Sequence, residues 1–97
     1  MLSFGNRNSE GAIEITFSFN ATVDSEVFLA GSFNDWDSTN TPMLLNKENN
    51  NYEIVMYLKP GYYEYKFIVN GNWILDETNP NFAANDFGTL NSVINID

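Results

Sequence analysis

The stretch "YYEYKFIVNGNW", residues 62–73, combines an aromatic segment with a turn signal. Its Asn70-Gly71 pair is the strongest short-range signal for a β-hairpin, because a two-residue turn of this kind needs positive φ at both central positions. With Asn70 and Gly71 at the centre of the turn, Ile68 pairs with Trp73. The residues on either side are therefore predicted to form two antiparallel strands in a fixed register.

This register separates the hairpin into two unlike faces, because side chains alternate along a strand. One face is apolar and is expected to lie against the core: Tyr63, Tyr65, Phe67, Val69 and Ile74. The other face, expected to be exposed, carries Tyr62, Glu64, Lys66, Ile68, Trp73 and Leu75. On it Lys66 is the diagonal neighbour of Trp73, at about 7–8 Å. The pair has two possible interpretations. The first is a cation–π contact on an ordinary sheet. The second is a binding platform, on which the indole accepts a flat apolar ligand face such as that of a sugar and Lys66 donates hydrogen bonds at the edge.

The rest of the chain also indicates short strands separated by turns. Alternating apolar and polar residues, or short apolar runs, occur in "AIEITFSFN", "EVFLAG", "YEIVMYL", "NWIL" and "NSVINI". About six to eight short strands in one domain indicate an all-β fold, an antiparallel β-sandwich. Residues 1–9 are polar and aperiodic, so they are expected to form a flexible tail ahead of a domain over residues 10–97. Two longer loops, residues 31–46 and 76–88, are expected to carry function.

Composition excludes several classes of function. The chain has 97 residues, a formal net charge of −9 and only four Lys and Arg residues, which argues against nucleic acid and against an anionic membrane surface. It has no Cys and no His, so thiolate metal sites, Ser-His triads and the usual general base are excluded. The segment "DWDSTN" lacks the glycine and the distal Glu of an EF-hand, so it is expected to be a solvated loop and not a calcium site. No metal and no cofactor are expected. The chain shows no secretory signal and no apolar run of about 18 residues, so a cytoplasmic location is expected.

Three motifs in series, "VFLAGSFNDW", "GYYEYKFIVNGNW" and "NDFGTLNSVINI", resemble carbohydrate-binding module family 48. That family includes the glycogen-binding domain of the AMP-activated protein kinase beta subunit and the N-terminal modules of branching and debranching enzymes. The resemblance runs from about Val23 to Ile96. It implies an immunoglobulin-like sandwich of the early-set type that binds α-1,4-linked glucans such as glycogen, starch or maltodextrin without catalysis.

The resemblance also implies a set of sugar-binding residues. Trp36 and Trp73 match the two stacking tryptophans, Lys66 matches the lysine of the second motif, and Thr89 and Asn91 match residues that hydrogen-bond sugar hydroxyls. Phe87 departs from the kinase-type pattern, which has a leucine there, and is expected to fill that role with a flatter surface. Asp76, after a strand, is expected to cap a turn rather than to contact ligand.

Two alternatives compete with glucan binding. The thirteen acidic residues make chance carboxylate pairs easy, but the motifs contribute stacking and donor groups and no identifiable acid–base pair, so the chain is not expected to be an enzyme. The second alternative is a protein-interaction or linker module with a degraded sugar site, whose partners would be a catalytic domain or the kinase subunits of a parent assembly. Retention of both tryptophans and of the three polar residues favours a working glucan site.

Overall fold

The computed structural model describes residues 1–97 as two antiparallel sheets. The nine strands are β1 (Leu2–Arg7), β2 (Ile13–Asn20), β3 (Val27–Gly31), β4 (Leu44–Asn46), β5 (Asn51–Leu58), β6 (Gly61–Val69), β7 (Asn72–Ile74), β8 (Phe82–Ala84) and β9 (Leu90–Ile96). The first sheet has the order β1-β2-β5-β4, and the second has the order β3-β6-β9-β8, with β7 paired to β6. A 3₁₀ helix, Ser32–Asn34, follows β3. No helical segment has the length and hydropathy that a membrane-spanning helix needs. The predicted antiparallel β-sandwich is confirmed.

The core lies between the two sheets and is built from alternate residues of their strands. Phe17 of β2 packs edge-on against Tyr65 of β6 with ring centroids 5.1 Å apart, and Tyr65 packs against Phe67 at 5.8 Å. All three side chains are fully buried. Such aromatic pairs add stabilisation beyond that of the apolar area they bury, and the Phe17–Tyr65 pair joins the first sheet to the second.

The hairpin has the register predicted from the Asn-Gly turn. Asn70 and Gly71 both have positive φ, 51° and 85°, and Ile68 pairs with Trp73. The Asn70 side chain accepts a hydrogen bond from the amide of Glu26 (2.9 Å), which ties the hairpin tip to the start of β3. The turn thus fixes β6 and β7 relative to each other and to the rest of the second sheet.

The expectation of a flexible tail over residues 1–9 needs correction, because Leu2–Arg7 forms the edge strand β1. Leu2 pairs with Phe17, and Phe4 pairs with Ile15. Two apolar residues in an otherwise polar segment are too weak a pattern to predict a strand, and β1 forms because β2 offers it a free edge. Three strands lie outside the predicted runs: β1 and the three-residue strands β4 and β8.

Asp76 caps a turn, as its position predicts. It is also buried and joins separate elements of the fold. Its carboxylate accepts hydrogen bonds from the amide (3.1 Å) and hydroxyl (2.7 Å) of Thr78. It also accepts one from the Tyr65 hydroxyl (2.6 Å) and one from the Met1 ammonium (2.9 Å). Burial opposes ionisation of Asp76, but these donors outweigh it and lower the pKa of the carboxyl below its ordinary 3.8. Burial, and next the bond to Asp76, raise the pKa of the Tyr65 hydroxyl.

Candidate functional site

A groove of about 970 Å³ crosses the outer face of the second sheet. It is lined by Ser32, Trp36, Tyr62, Glu64, Lys66, Trp73, Ala84, Asn85, Asp86, Phe87, Thr89 and Asn91. All six residues singled out from the sequence are among them: Trp36, Lys66, Trp73, Phe87, Thr89 and Asn91. They come from the loop after β3, from β6 and β7, and from the β8–β9 turn and β9, so the fold brings together residues that are far apart in the sequence.

The loop after β3 presents Trp36 through a hydrogen-bonded turn. Asn34 accepts a bond from the amide of Gly31 (3.0 Å) and donates to the carbonyl of Leu29 (3.1 Å) and the hydroxyl of Thr41 (3.1 Å). The Trp36 amide then donates to the Gly31 carbonyl (2.9 Å). These bonds fix the loop at both ends, so the backbone that carries the Trp36 indole has a defined position.

The two tryptophans form a bent apolar surface at one side of the groove. The ring centroids of Trp36 and Trp73 are 6.5 Å apart, and the ring planes are inclined by 42°. Trp73 is 47% exposed, and Trp36 is less exposed than Trp73. An exposed indole next to a tilted second indole can accept a ligand that is apolar on one face and curved along its length.

Lys66 is more buried than the sequence predicts. It was expected on an exposed face, but only 8% of the residue is exposed. It belongs to the central strand β6, where Ala30 of β3 is its cross-strand partner. Its ammonium donates to the hydroxyl of Thr89 (3.2 Å). An ammonium has three N–H donors, so Lys66 keeps donors for a ligand at the floor of the groove.

The β8–β9 turn is organised by Asn85, a residue that the sequence reasoning did not identify. Its side-chain oxygen accepts bonds from the amides of Phe87 (3.0 Å) and Thr89 (3.1 Å). Gly88 supplies the positive φ of 80° that closes the turn. Phe87 is left 92% exposed at the tip. The Asn-x-x-Gly-Thr pattern is itself a turn signal that would have pointed to this role.

A second set of hydrogen bonds orients Asn91 in the groove. The Asn91 amide donates to one oxygen of Glu64 (2.9 Å), and the Tyr62 hydroxyl donates to the other (2.9 Å). This bond to Glu64 raises the pKa of the Tyr62 hydroxyl. The Asn85 amide group donates to the side-chain oxygen of Asn91 (2.9 Å) and to the Thr89 hydroxyl (2.7 Å). Tyr62 and Glu64 were placed on this face from the sequence, but their connection to Asn91 depends on how β6 and β9 pair.

Together the sandwich and the groove define a small β-sandwich binding module, with an aromatic platform on one side and fixed hydrogen-bonding groups on the other. The family model described as "Glycogen recognition site of AMP-activated protein kinase" matches residues 13–97, and the chain belongs to this family.

The chain is also similar to beta subunits of the AMP-activated protein kinase. It is 38% identical over 71 residues to 5'-AMP-activated protein kinase subunit beta-2 of Mus musculus, a match that covers 73% of this chain and 25% of that protein. It is 35% identical over 71 residues to subunit beta-1 of Sus scrofa, covering 73% of this chain and 54% of that protein. The match to subunit beta-1 of Bos taurus is 37% identical and covers 24% of that protein. The chain therefore corresponds to one portion of these longer relatives.

Proposed function

We propose that the chain binds α-1,4-linked glucans, such as glycogen, starch or maltodextrin, in the groove on the outer face of the second sheet. The observation that carries this proposal is that Trp36, Lys66, Trp73, Phe87, Thr89 and Asn91 all line one groove. Membership of a glycogen-recognition family supports the same ligand class.

The proposed mode of binding combines stacking with hydrogen bonding. One face of a glucose ring is mostly C–H and its rim is hydroxyls, so the sugar faces would stack on Trp36, Trp73 and Phe87. The inclination of the two indole planes suits the curvature of an α-1,4 chain. Lys66, Thr89 and Asn91 would bond the hydroxyls. The Thr89 oxygen accepts bonds from both Lys66 and Asn85, so its own proton is free to be donated to sugar.

Such contacts predict a weak affinity for a single short oligosaccharide. Stacking on each ring contributes at most about 1–3 kcal/mol, and each net hydrogen bond about 0.5–1.5 kcal/mol. After the costs of association, dissociation constants of roughly micromolar to millimolar follow. A tethered or multivalent module gains apparent affinity for a polymer that offers many chain ends.

Binding without catalysis fits the state of Glu64, one of the two carboxylates that line the groove. Glycoside hydrolysis uses two carboxyl groups, one of which must give a proton to the leaving oxygen. Both oxygens of Glu64 accept hydrogen bonds from neighbouring side chains, so Glu64 serves as an acceptor that holds Asn91 and Tyr62. We therefore propose a recognition module rather than an enzyme.

We further propose that the chain's protein partners are kinase subunits, because the similar proteins are named as subunits of a kinase. A glucan-metabolising catalytic domain is the other partner class implied by the family-48 resemblance. The cytoplasmic location expected from the sequence stays a prediction.

The proposal is tested by titrating the protein with maltoheptaose and following tryptophan fluorescence and amide chemical shifts. We expect saturable changes at Trp36 and Trp73, and loss of glycogen pull-down in the Trp73→Ala variant with its fold intact. Tyr57→Ala is the matched control, because Tyr57 is a similarly exposed aromatic residue (55%, against 47% for Trp73) on β5 of the other sheet. No spectral change at millimolar sugar, or equal pull-down by both variants, would contradict the proposal.

A further inference from the structure

A second groove, of about 550 Å³, adjoins the first on the same side of the molecule. It is lined by Tyr62, Pro80, Asn81, Phe82, Val93 and Asn95. The segment before β8 is held against β9, because the Val93 amide donates to the Asn81 carbonyl (2.9 Å) and the Asn79 side chain donates to the Val93 carbonyl (3.0 Å). The wall of this second groove is therefore fixed by hydrogen bonds to β9.

The second groove has the chemistry of a site for a neutral polyhydroxylated ligand. Phe82 is 57% exposed and Tyr62 is 55% exposed, so two flat apolar rings face solvent. Asn81 and Asn95 are exposed, so their side-chain amides can donate hydrogen bonds to a ligand and accept them from it. None of the six lining residues is charged, although the chain carries a formal net charge of −9. A charged ligand would find no counter-ion there, whereas a sugar would find rings and amides.

The two grooves are adjacent, because Tyr62 lines both. Along β6, Lys66 at the floor of the first groove and Tyr62 are four residues apart on the same face, which corresponds to about 13 Å of strand. Asn91, Val93 and Asn95 follow the same direction along β9, where Val93 pairs with Glu64 and Asn95 with Tyr62. A chain molecule lying in the first groove can thus continue over Tyr62 into the second.

We propose that the second groove is an additional subsite for the same glucan chain, occupied only when the chain extends beyond the first groove. Phe82 provides a stacking surface there, and Asn81 and Asn95 bond sugar hydroxyls. This inference rests on the proposed function. It gives the module a preference for long α-glucan chains over short ones.

The test compares maltotriose with maltodecaose in calorimetric titrations of the wild-type protein and three variants. Phe82→Ala and Asn95→Ala are expected to lower the affinity for maltodecaose by about three- to tenfold, the loss that corresponds to one stacking or hydrogen-bonding contact. Their affinity for maltotriose should stay at the wild-type value. Trp73→Ala should lose both ligands. In the wild-type protein, the side-chain amide resonances of Asn81 and Asn95 should shift with maltodecaose and not with maltotriose.

The outcomes separate this inference from the proposed function. One outcome would overturn the second groove alone. In it, Trp73→Ala loses binding, the affinity changes in Phe82→Ala and Asn95→Ala are the same for both ligands, and both ligands shift the two amide resonances equally. The second groove is then not a subsite, and the first groove is still the glucan site. If Trp73→Ala binds maltotriose with wild-type affinity, the first groove is not the glucan site, and the proposal of a second subsite fails with it. The amide resonances decide the question in the unmodified protein should a variant fail to fold.

Discussion

At the scale of the residue, Glu64 illustrates how a side chain can serve a site through a neighbour. Asn91 would contact sugar only if its amide is turned the right way, and an amide group can rotate to exchange its donor and its acceptor. Glu64 accepts from the nitrogen and Asn85 donates to the oxygen, so only one orientation of Asn91 satisfies both. We interpret Glu64 and Asn85 as positioning residues.

We predict that Glu64→Ala lowers the affinity for maltoheptaose about fivefold, because Asn91 loses the partner that fixes its orientation, at a cost of about 1 kcal/mol. Glu64→Gln should bind within about twofold of wild type, since its oxygen still accepts from Asn91 and its nitrogen can donate to Tyr62. Calorimetry measures both affinities. Glu14→Ala is the control and should bind like wild type, because it removes a carboxylate that accepts from a tyrosine hydroxyl on the other sheet. Equal losses in the Ala and Gln variants would show that the carboxylate acts on the ligand by its charge instead.

At the scale of the element, the hairpin β6–β7 was predictable and the surroundings of its residues were not. An Asn-Gly turn and a two-residue period are local signals, and together they fix which strand residues face each other. The depth of Lys66 depends on β3 lying beside β6, and the role of Asn85 depends on a turn outside any regular strand. Such features arise from which distant segments pack together, so one sequence without its fold does not specify them. Trp36, Thr89 and Asn91 were found through motif resemblance for the same reason.

Asp76 joins β6 to the segment after β7, and this connection should make the stability of the fold depend on pH in acid. Its amide donates to the hydroxyl of Ser92 of β9, and its carboxylate accepts from Tyr65 of β6. The pKa of Asp76 is lowered in the folded state, so its contribution to stability is present above the ordinary pKa of 3.8 and is lost as the pH falls through the lower folded value. The contribution should therefore be complete near neutral pH and fade in strong acid.

We predict that Asp76→Asn lowers the free energy of unfolding by about 3 kcal/mol near neutral pH, the scale expected when a buried, hydrogen-bonded charge is replaced. The difference from wild type should shrink as the pH is lowered below the ordinary carboxyl range. Urea unfolding at a series of pH values measures it. Asp24→Asn, at an exposed position, should show no such convergence. A difference that is constant with pH would mean that shape rather than charge makes Asp76 important.

At the scale of the whole molecule, the net negative charge should affect the stability of the fold and not the affinity for a neutral ligand. Thirteen acidic residues oppose four basic ones, and one ion pair, between the Met1 ammonium and Asp76 (2.9 Å), lies within salt-bridge distance. Most carboxylates therefore repel one another across the surface, which destabilises the compact state. A neutral glucan neither gains nor loses from this field, whereas a cationic ligand would be drawn in by it.

We predict that raising NaCl from about 10 to 500 mM raises the melting temperature, because a Debye length that shrinks to a few ångströms screens the repulsion between carboxylates. Over the same range, the dissociation constant for maltoheptaose should stay within about twofold, since the proposed contacts are stacking and hydrogen bonds to uncharged hydroxyls. Thermal unfolding and calorimetry at matched salt concentrations measure the two quantities. NaCl is the suitable salt, because sulfate strengthens apolar burial and would raise stability by a second route. A dissociation constant that rises steeply with salt would contradict a neutral ligand and indicate that the negative surface itself takes part in binding.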